Sequence, residues 1–242
     1  MSAVATDTES AESAESRQPA PLIALKGLRG SIARNMTAGW QAPRVAMGAE
    51  VDLSHALALL AERQAAPGAP LRMTVTSLVL RAVALALREH PALNAWMREG
   101  GIERASAIHL GLAVALSDGL AVPVIRNADT LSIEQLATAS RELAQGTRDG
   151  RLPPKTYQGG SFTVTNLGMT GIDWFTPILN PPQVGILGLS RVTDRPVVRN
   201  GSLAIAPMST LTLVFDHRAV DGHPAALFLR SVREYLETCD GL

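Results

Sequence analysis

The stretch Ser209-Thr-Leu-Thr-Leu-Val-Phe-Asp-His217-Arg-Ala-Val-Asp-Gly222 carries the reading of this chain. Its first half alternates as a strand, with Leu211, Leu213, Phe215 and His217 on one parity. Gly222 permits a sharp turn, and Pro224 then stands in the first turn of a helix. That helix would turn Ala225, Phe228, Leu229, Val232 and Leu236 inward. On this parity the His217 ring continues an apolar row and is expected to be partly dry. Burial disfavours imidazolium, so the ring would be neutral near pH 7, as a general base must be. Asp221, four residues on, would hold the turn or pair with an arginine. A lone His-x-x-x-Asp is weak, since most such pairs are structural. A metal reading of His217, Asp221 and His223 lacks a clear further ligand.

Upstream, Phe162-Thr-Val-Thr-Asn166 alternates too. Phe162 and Val164 face one side; Ser161, Thr163 and Thr165 face the other, where their hydroxyls would line a polar channel. Threonine is also simply a good strand former, and taken alone that plainer reading prevails. Around these segments the periodicity predicts helices over 27–40, from Asp52 or Ser54 to about 64, and through 75–87. Pro67, Gly68 and Pro70 break the second of these. Ser132-Ile-Glu-Gln135 is a capping box that opens another helix, ended by Gly146 and Gly150. Residues 45–51 and the runs on either side of Asp118-Gly119 read as strands. So do the run ending at Val192 and the two arms around Asn200-Gly201, a hairpin turn. Helices and antiparallel-type strands alternate irregularly, which suggests a layered α/β sandwich with a mixed sheet.

Composition narrows the function. The 242 residues are 46% hydrophobic, with 22 basic against 22 acidic side chains and net charge +0. That is enough apolar matter for a sizeable core. No basic surplus or dense basic run offers itself to nucleic acid. The one cysteine, Cys239, forms no intramolecular disulfide framework, and the chain reads as intracellular and cytoplasmic. The uncharged stretch 174–190 contains prolines, Asn180 and Gln183, so no membrane span is expected. Residues 1–20 read as a disordered acidic tail and 21–242 as one globular domain. Dinucleotide, Walker, nucleophile-elbow and zinc-protease signatures are absent from the sequence.

Five segments together resemble a known family. They are Gly27-Leu-Arg-Gly-Ser-Ile-Ala-Arg-Asn-Met36, Gly119-Leu-Ala-Val-Pro-Val-Ile-Arg-Asn-Ala-Asp129, Ser161-Phe-Thr-Val-Thr-Asn-Leu-Gly168, Ile178-Leu-Asn-Pro-Pro-Gln-Val-Gly-Ile-Leu-Gly188 and Asp216-His-Arg-Ala-Val-Asp-Gly222. In this order they resemble the catalytic domain of dihydrolipoamide acyltransferases, the core components of 2-oxo acid dehydrogenase complexes. The resemblance runs from about residue 25 to 236. It implies a chloramphenicol acetyltransferase-like two-layer sandwich and a homotrimer, in larger assemblies a cage, with each active site between subunits.

It further implies that coenzyme A and the acyl-dihydrolipoyl donor meet in one tunnel, with no metal. His217 would be the general base toward the coenzyme A thiol. Thr165 would donate to the oxyanion from a neighbouring subunit, and Asp221 would organise the loop, with Arg29 as its cation. The chain departs from the family in showing neither lipoyl nor subunit-binding domain. Its two lysines, Lys26 and Lys155, lie outside any Asp-Lys-Ala hairpin. The start at Met1 reads as that of a standalone protein, with the lipoyl group supplied in trans by a lipoyl-bearing protein alongside other dehydrogenase components. Thr165 is similar to succinyl-transferring members and Ile172-Asp-Trp-Phe-Thr-Pro177 to acetyl-transferring ones, which leaves the acyl group open. Two other readings stand beside this one. One is a coenzyme A-dependent acyltransferase or condensing enzyme with a non-lipoyl acceptor; the other is a non-catalytic core scaffold.

Overall fold

The computed structural model describes residue 22 and residues 24–65, 73–117 and 119–242. The expected acidic tail, the proline-glycine break at 67–70 and Asp118 lie outside the described residues.

One long strand organises the molecule. β11 (Ser202–Asp216) holds β1 (Arg44–Asp52) antiparallel along one edge and β9 (Gly185–Leu189) antiparallel along the other. From β9 the sheet continues in parallel through β8 (Phe162–Asn166) to β4 (Leu110–Leu112), and ends with β7 (Val124–Ile125) antiparallel to β4. β10 (Thr193–Arg199) pairs with the first half of β11. Asn200 and Gly201, both at positive φ, make the turn, as the two-residue hairpin between right-twisted strands requires. The sheet is mixed, as the irregular alternation of elements implied.

Period-two alternation sorts the side chains to the two faces. On β8, β9 and β11 the residues Phe162, Val164, Leu187, Leu189, Leu211, Leu213 and Phe215 enter the main core. Over them lie α2 (Ser54–Ala65), α3 (Val75–Glu89), α4 (Ile133–Arg148) and α5 (Gly222–Thr238), each with an apolar stripe turned down. α3 is buried along most of its length. The opposite face is thinner. Leu179, Ile186 and Val214 form a small second cluster there, beneath α1 (Gly27–Gln41). Gly39 lets α1 close down on the backbone of Leu179, whose carbonyl oxygen would lie 2.2 Å from any added Cβ.

Several expectations need correction. The run before Asp118-Gly119 is two strands, because the chain leaves the main sheet at Ala113. β5 (Val114–Leu116) and β6 (Gly119–Ala121) then form their own hairpin. α4 passes through Gly146, whose lack of a side chain makes room for Leu152. A further hairpin, β2 (Ala95–Arg98) with β3 (Gly101–Arg104), has no counterpart in the sequence reading. Among the described residues no helix is long and apolar enough to cross a membrane.

Candidate active site

β11 delivers Asp216 to the end of the sheet, where the chain must reverse into α5. Asp216 is buried, and its carboxylate is held from three directions. The Arg218 backbone N–H and Nε donate to Oδ1, each at 3.0 Å, and Nη2 donates to Oδ2 at 2.6 Å. Its carbonyl accepts from the N–H groups of Ala219 and Val220 at 3.0 and 3.2 Å. The same pairing raises the Arg218 guanidinium above its ordinary pKa, chiefly through the hydrogen bond to Asp216. This clasp makes the turn rigid, and His217 sits inside it. The His217 N–H donates to the Pro43 carbonyl at 2.9 Å. Its ring lies beside Phe215, centroid to centroid 5.8 Å.

The expected dry ring is not found within one chain. The strand ends at Asp216, one residue short, so the apolar row stops at Phe215. The His217 side chain is 45% exposed. Asp221 is the residue before α5, and its side chain caps nothing in that helix. Its Oδ1 instead faces His217 Nδ1 at 3.8 Å, too long for a hydrogen bond. Among the described residues no ion pair joins Arg29 to Asp221, and no three metal-ligating side chains gather at His217, Asp221 and His223.

Thr165 lies elsewhere. It projects from β8 on the thin face of the sheet and lines a pocket of about 300 Å³ beneath α1. Ile32 and Met36 of α1, Leu120 of β6, and Phe175 and Ile178 of the following loop supply its walls. Thr163 also reaches it, but its hydroxyl donates to Gln183 Oε1 at 2.5 Å. Ser161 turns back to the His109 backbone. The anticipated row of free hydroxyls therefore reduces to Thr165, in a pocket whose walls are mainly apolar. No sequence signal pointed to this pocket, because α1, β6, β8 and the 172–180 loop converge only in the fold.

The two groups are far apart in one chain. Thr165 is in register with Gly188, and Gly188 with Thr212. His217 lies five residues beyond Thr212, so two strand spacings and five rises separate it from Thr165 by about 20 Å.

A sheet of this order, helices on one face and one helix on the other, is the fold of chloramphenicol acetyltransferase, to which the chain aligns with a TM-score of 0.52 at 15% identity over 84% of this chain and 94% of that one. Within that fold the chain belongs to the 2-oxoacid dehydrogenases acyltransferase (catalytic domain) family, whose sequence model matches residues 18–242. It is 40% identical over 227 residues to the dihydrolipoyllysine-residue acetyltransferase component of the acetoin cleaving system of Bacillus subtilis (strain 168), covering 92% of this chain and 56% of that protein. It is 44% identical over 157 residues to the succinyltransferase component of the 2-oxoglutarate dehydrogenase complex of Bartonella vinsonii subsp. berkhoffii, covering 65% of this chain and 38% of that one. The cubic core of a pyruvate dehydrogenase multienzyme complex superposes with a TM-score of 0.86 at 34% identity, over 91% of this chain and 92% of that chain. The dihydrolipoamide acetyltransferase of Azotobacter vinelandii gives 0.86 at 33%, with the same coverage. The chain spans about half the length of the curated relatives it matches.

Proposed function

We propose that this chain transfers an acyl group between the thiols of a dihydrolipoyl group and coenzyme A, as part of a 2-oxo acid dehydrogenase-type system. One observation carries the reading. For the Azotobacter enzyme a serine, a histidine and an asparagine were investigated for their role in the catalytic mechanism, spaced 52 and then 4 residues apart. Thr165, His217 and Asp221 have the same two spacings.

The chemistry follows from the side chains. His217 Nε2 takes the proton of the coenzyme A thiol, which near neutrality is mostly protonated and a poor nucleophile. The thiolate attacks the thioester carbonyl of acyl-dihydrolipoyl. The Thr165 hydroxyl donates to the oxyanion so formed. Collapse of the intermediate expels the dihydrolipoyl sulfur, which recovers the proton from His217. Asp221, beside the His217 ring, organises the loop that carries it.

A site whose halves lie about 20 Å apart in one chain must be completed by another. The proposal therefore includes a homotrimer in which His217 of one protomer meets Thr165 of the next. Exposed apolar side chains support it. Val198, Leu203 and Ile205 stand out from the β10–β11 hairpin, and Met169 and Trp174 from the loop after β8. Such patches mark association surfaces. Coenzyme A is a substrate, the lipoyl group arrives on a partner protein, and no metal is required. The test is transfer from acetyl-CoA to dihydrolipoamide by the purified chain. Turnover that His217→Ala abolishes supports the reading, and undiminished turnover in that variant refutes it.

A further inference from the structure

The pocket that holds Thr165 has an inner end fixed by a glycine. Gly188 of β9 stands in register between Thr165 of β8 and Thr212 of β11, and the three share one face of the sheet. A Cβ on Gly188 would fall 2.8 Å from Phe175 Cζ and 3.3 Å from both neighbouring ring carbons. The tip of the Phe175 ring thus rests in the space that a side chain on Gly188 would fill. Phe175 also lines the Thr165 pocket, so it closes the pocket on the side of Thr212. The Thr212 hydroxyl is buried and has no hydrogen-bond partner among the described residues. The Phe175 ring therefore stands over the sheet between Thr165 and Thr212.

Among the described residues, none that lines the pocket carries a charge. Its polar groups are two threonines and two asparagines. Thr163 is bonded to Gln183, and Asn35 Nδ2 donates to Asn180 Oδ1 at 2.8 Å. A carboxylate entering this half of the site would lose its water and meet no cation among this protomer's described lining residues.

We propose, resting on the reading of the site given above, that Phe175 seated on Gly188 sets the size of the acyl group and that this group is short and uncharged, acetyl rather than succinyl. Gly188 acts as a positioning residue, through the ring it admits. Phe175 meets the acyl group itself.

The test uses the purified full chain with dihydrolipoamide and acetyl-, butyryl- or succinyl-CoA. The wild type is expected to favour acetyl over butyryl and over succinyl by about a hundredfold in kcat/KM. Phe175→Ala should cut the acetyl-over-butyryl preference at least about tenfold, since the space over Gly188 that the ring fills is then free. Gly188→Ala alone should lower Tm and acetyl transfer, because ring and methyl compete for one space. The Gly188→Ala/Phe175→Ala double variant should regain the Tm lost, a coupling that independent sites would not show. Succinyl-CoA used as well as acetyl-CoA overturns the inference. So does a Phe175→Ala preference within about twofold of wild type. Transfer with unaltered selectivity defeats this inference alone, whereas a wild type that transfers from none of the three defeats the acyltransferase reading with it.

Discussion

His217 owes its position to its neighbours. Asp216 and Arg218 clamp the turn on either side of it, and Asp221 faces one ring nitrogen. His217→Ala should lower acyl transfer by about a thousandfold or more, since a positioned base contributes on the order of 10²–10⁴, while the elution volume of the native protein is unchanged. Thr165→Ala should cost about 10²–10³ in kcat, and Thr165→Ser should restore most of it, because only the hydroxyl is needed. Arg218→Ala leaves the buried Asp216 carboxylate with one donor, the Arg218 backbone N–H. A loss of about 2 kcal/mol is expected in urea unfolding, kept modest because half of the guanidinium is already in water. The motif is legible in the sequence, and the exposure of its histidine is not. Alternation of residue types runs one position past Asp216, where the backbone has already left the strand.

At the scale of elements, local chemistry decides what can be read. Ser132 accepts from Gln135 N–H while Gln135 Oε1 accepts from Ser132 N–H, so the capping box visible in the sequence starts α4 as expected. Hydrogen bonding also tunes its neighbour Glu134. The Ser132 hydroxyl and then a backbone N–H hold its carboxyl below the ordinary glutamate value of 4.5; burial opposes them, and the Arg63 guanidinium adds a lesser lowering. A depressed folded-state pKa means that the stabilisation is complete above the unfolded value and disappears as pH falls through the folded one. Thermal unfolding between pH 7 and 3 should therefore show a steeper acid loss for wild type than for Glu134→Gln. The β2–β3 hairpin is hidden in the sequence because its strands are short, largely exposed and interrupted by Gly100-Gly101, with no apolar face to set a period. The split between β4 and β5 is hidden for the opposite reason. The apolar run continues unbroken across it, and only the tertiary pairing of β4 with β8 and β7 shows where the sheet ends.

On the proposed reading, the two halves of the site lie about 20 Å apart in one protomer. This arrangement yields a sharp test. Inactive His217→Ala and inactive Thr165→Ala protein, unfolded together in equal amounts and refolded, should recover about a quarter of wild-type activity, the random fraction of junctions that combine both intact groups. No recovery would place the whole site within a single chain. Both residues can be named from the sequence, and their separation into different protomers comes with the family resemblance. The walls around Thr165 are not set by any one local pattern, since they are drawn from segments more than a hundred residues apart.

The same separation bears on a newly made chain before it finds its fellows. Thioesters are reactive goods, and a lone protomer that could already ionise thiols and cradle oxyanions would waste them on stray water. If base and donor act only across a junction between protomers, as proposed, the solitary polypeptide should be inert. Specific activity should accordingly collapse on extreme dilution and return on reconcentration, with a lag set by encounter rather than by chemistry.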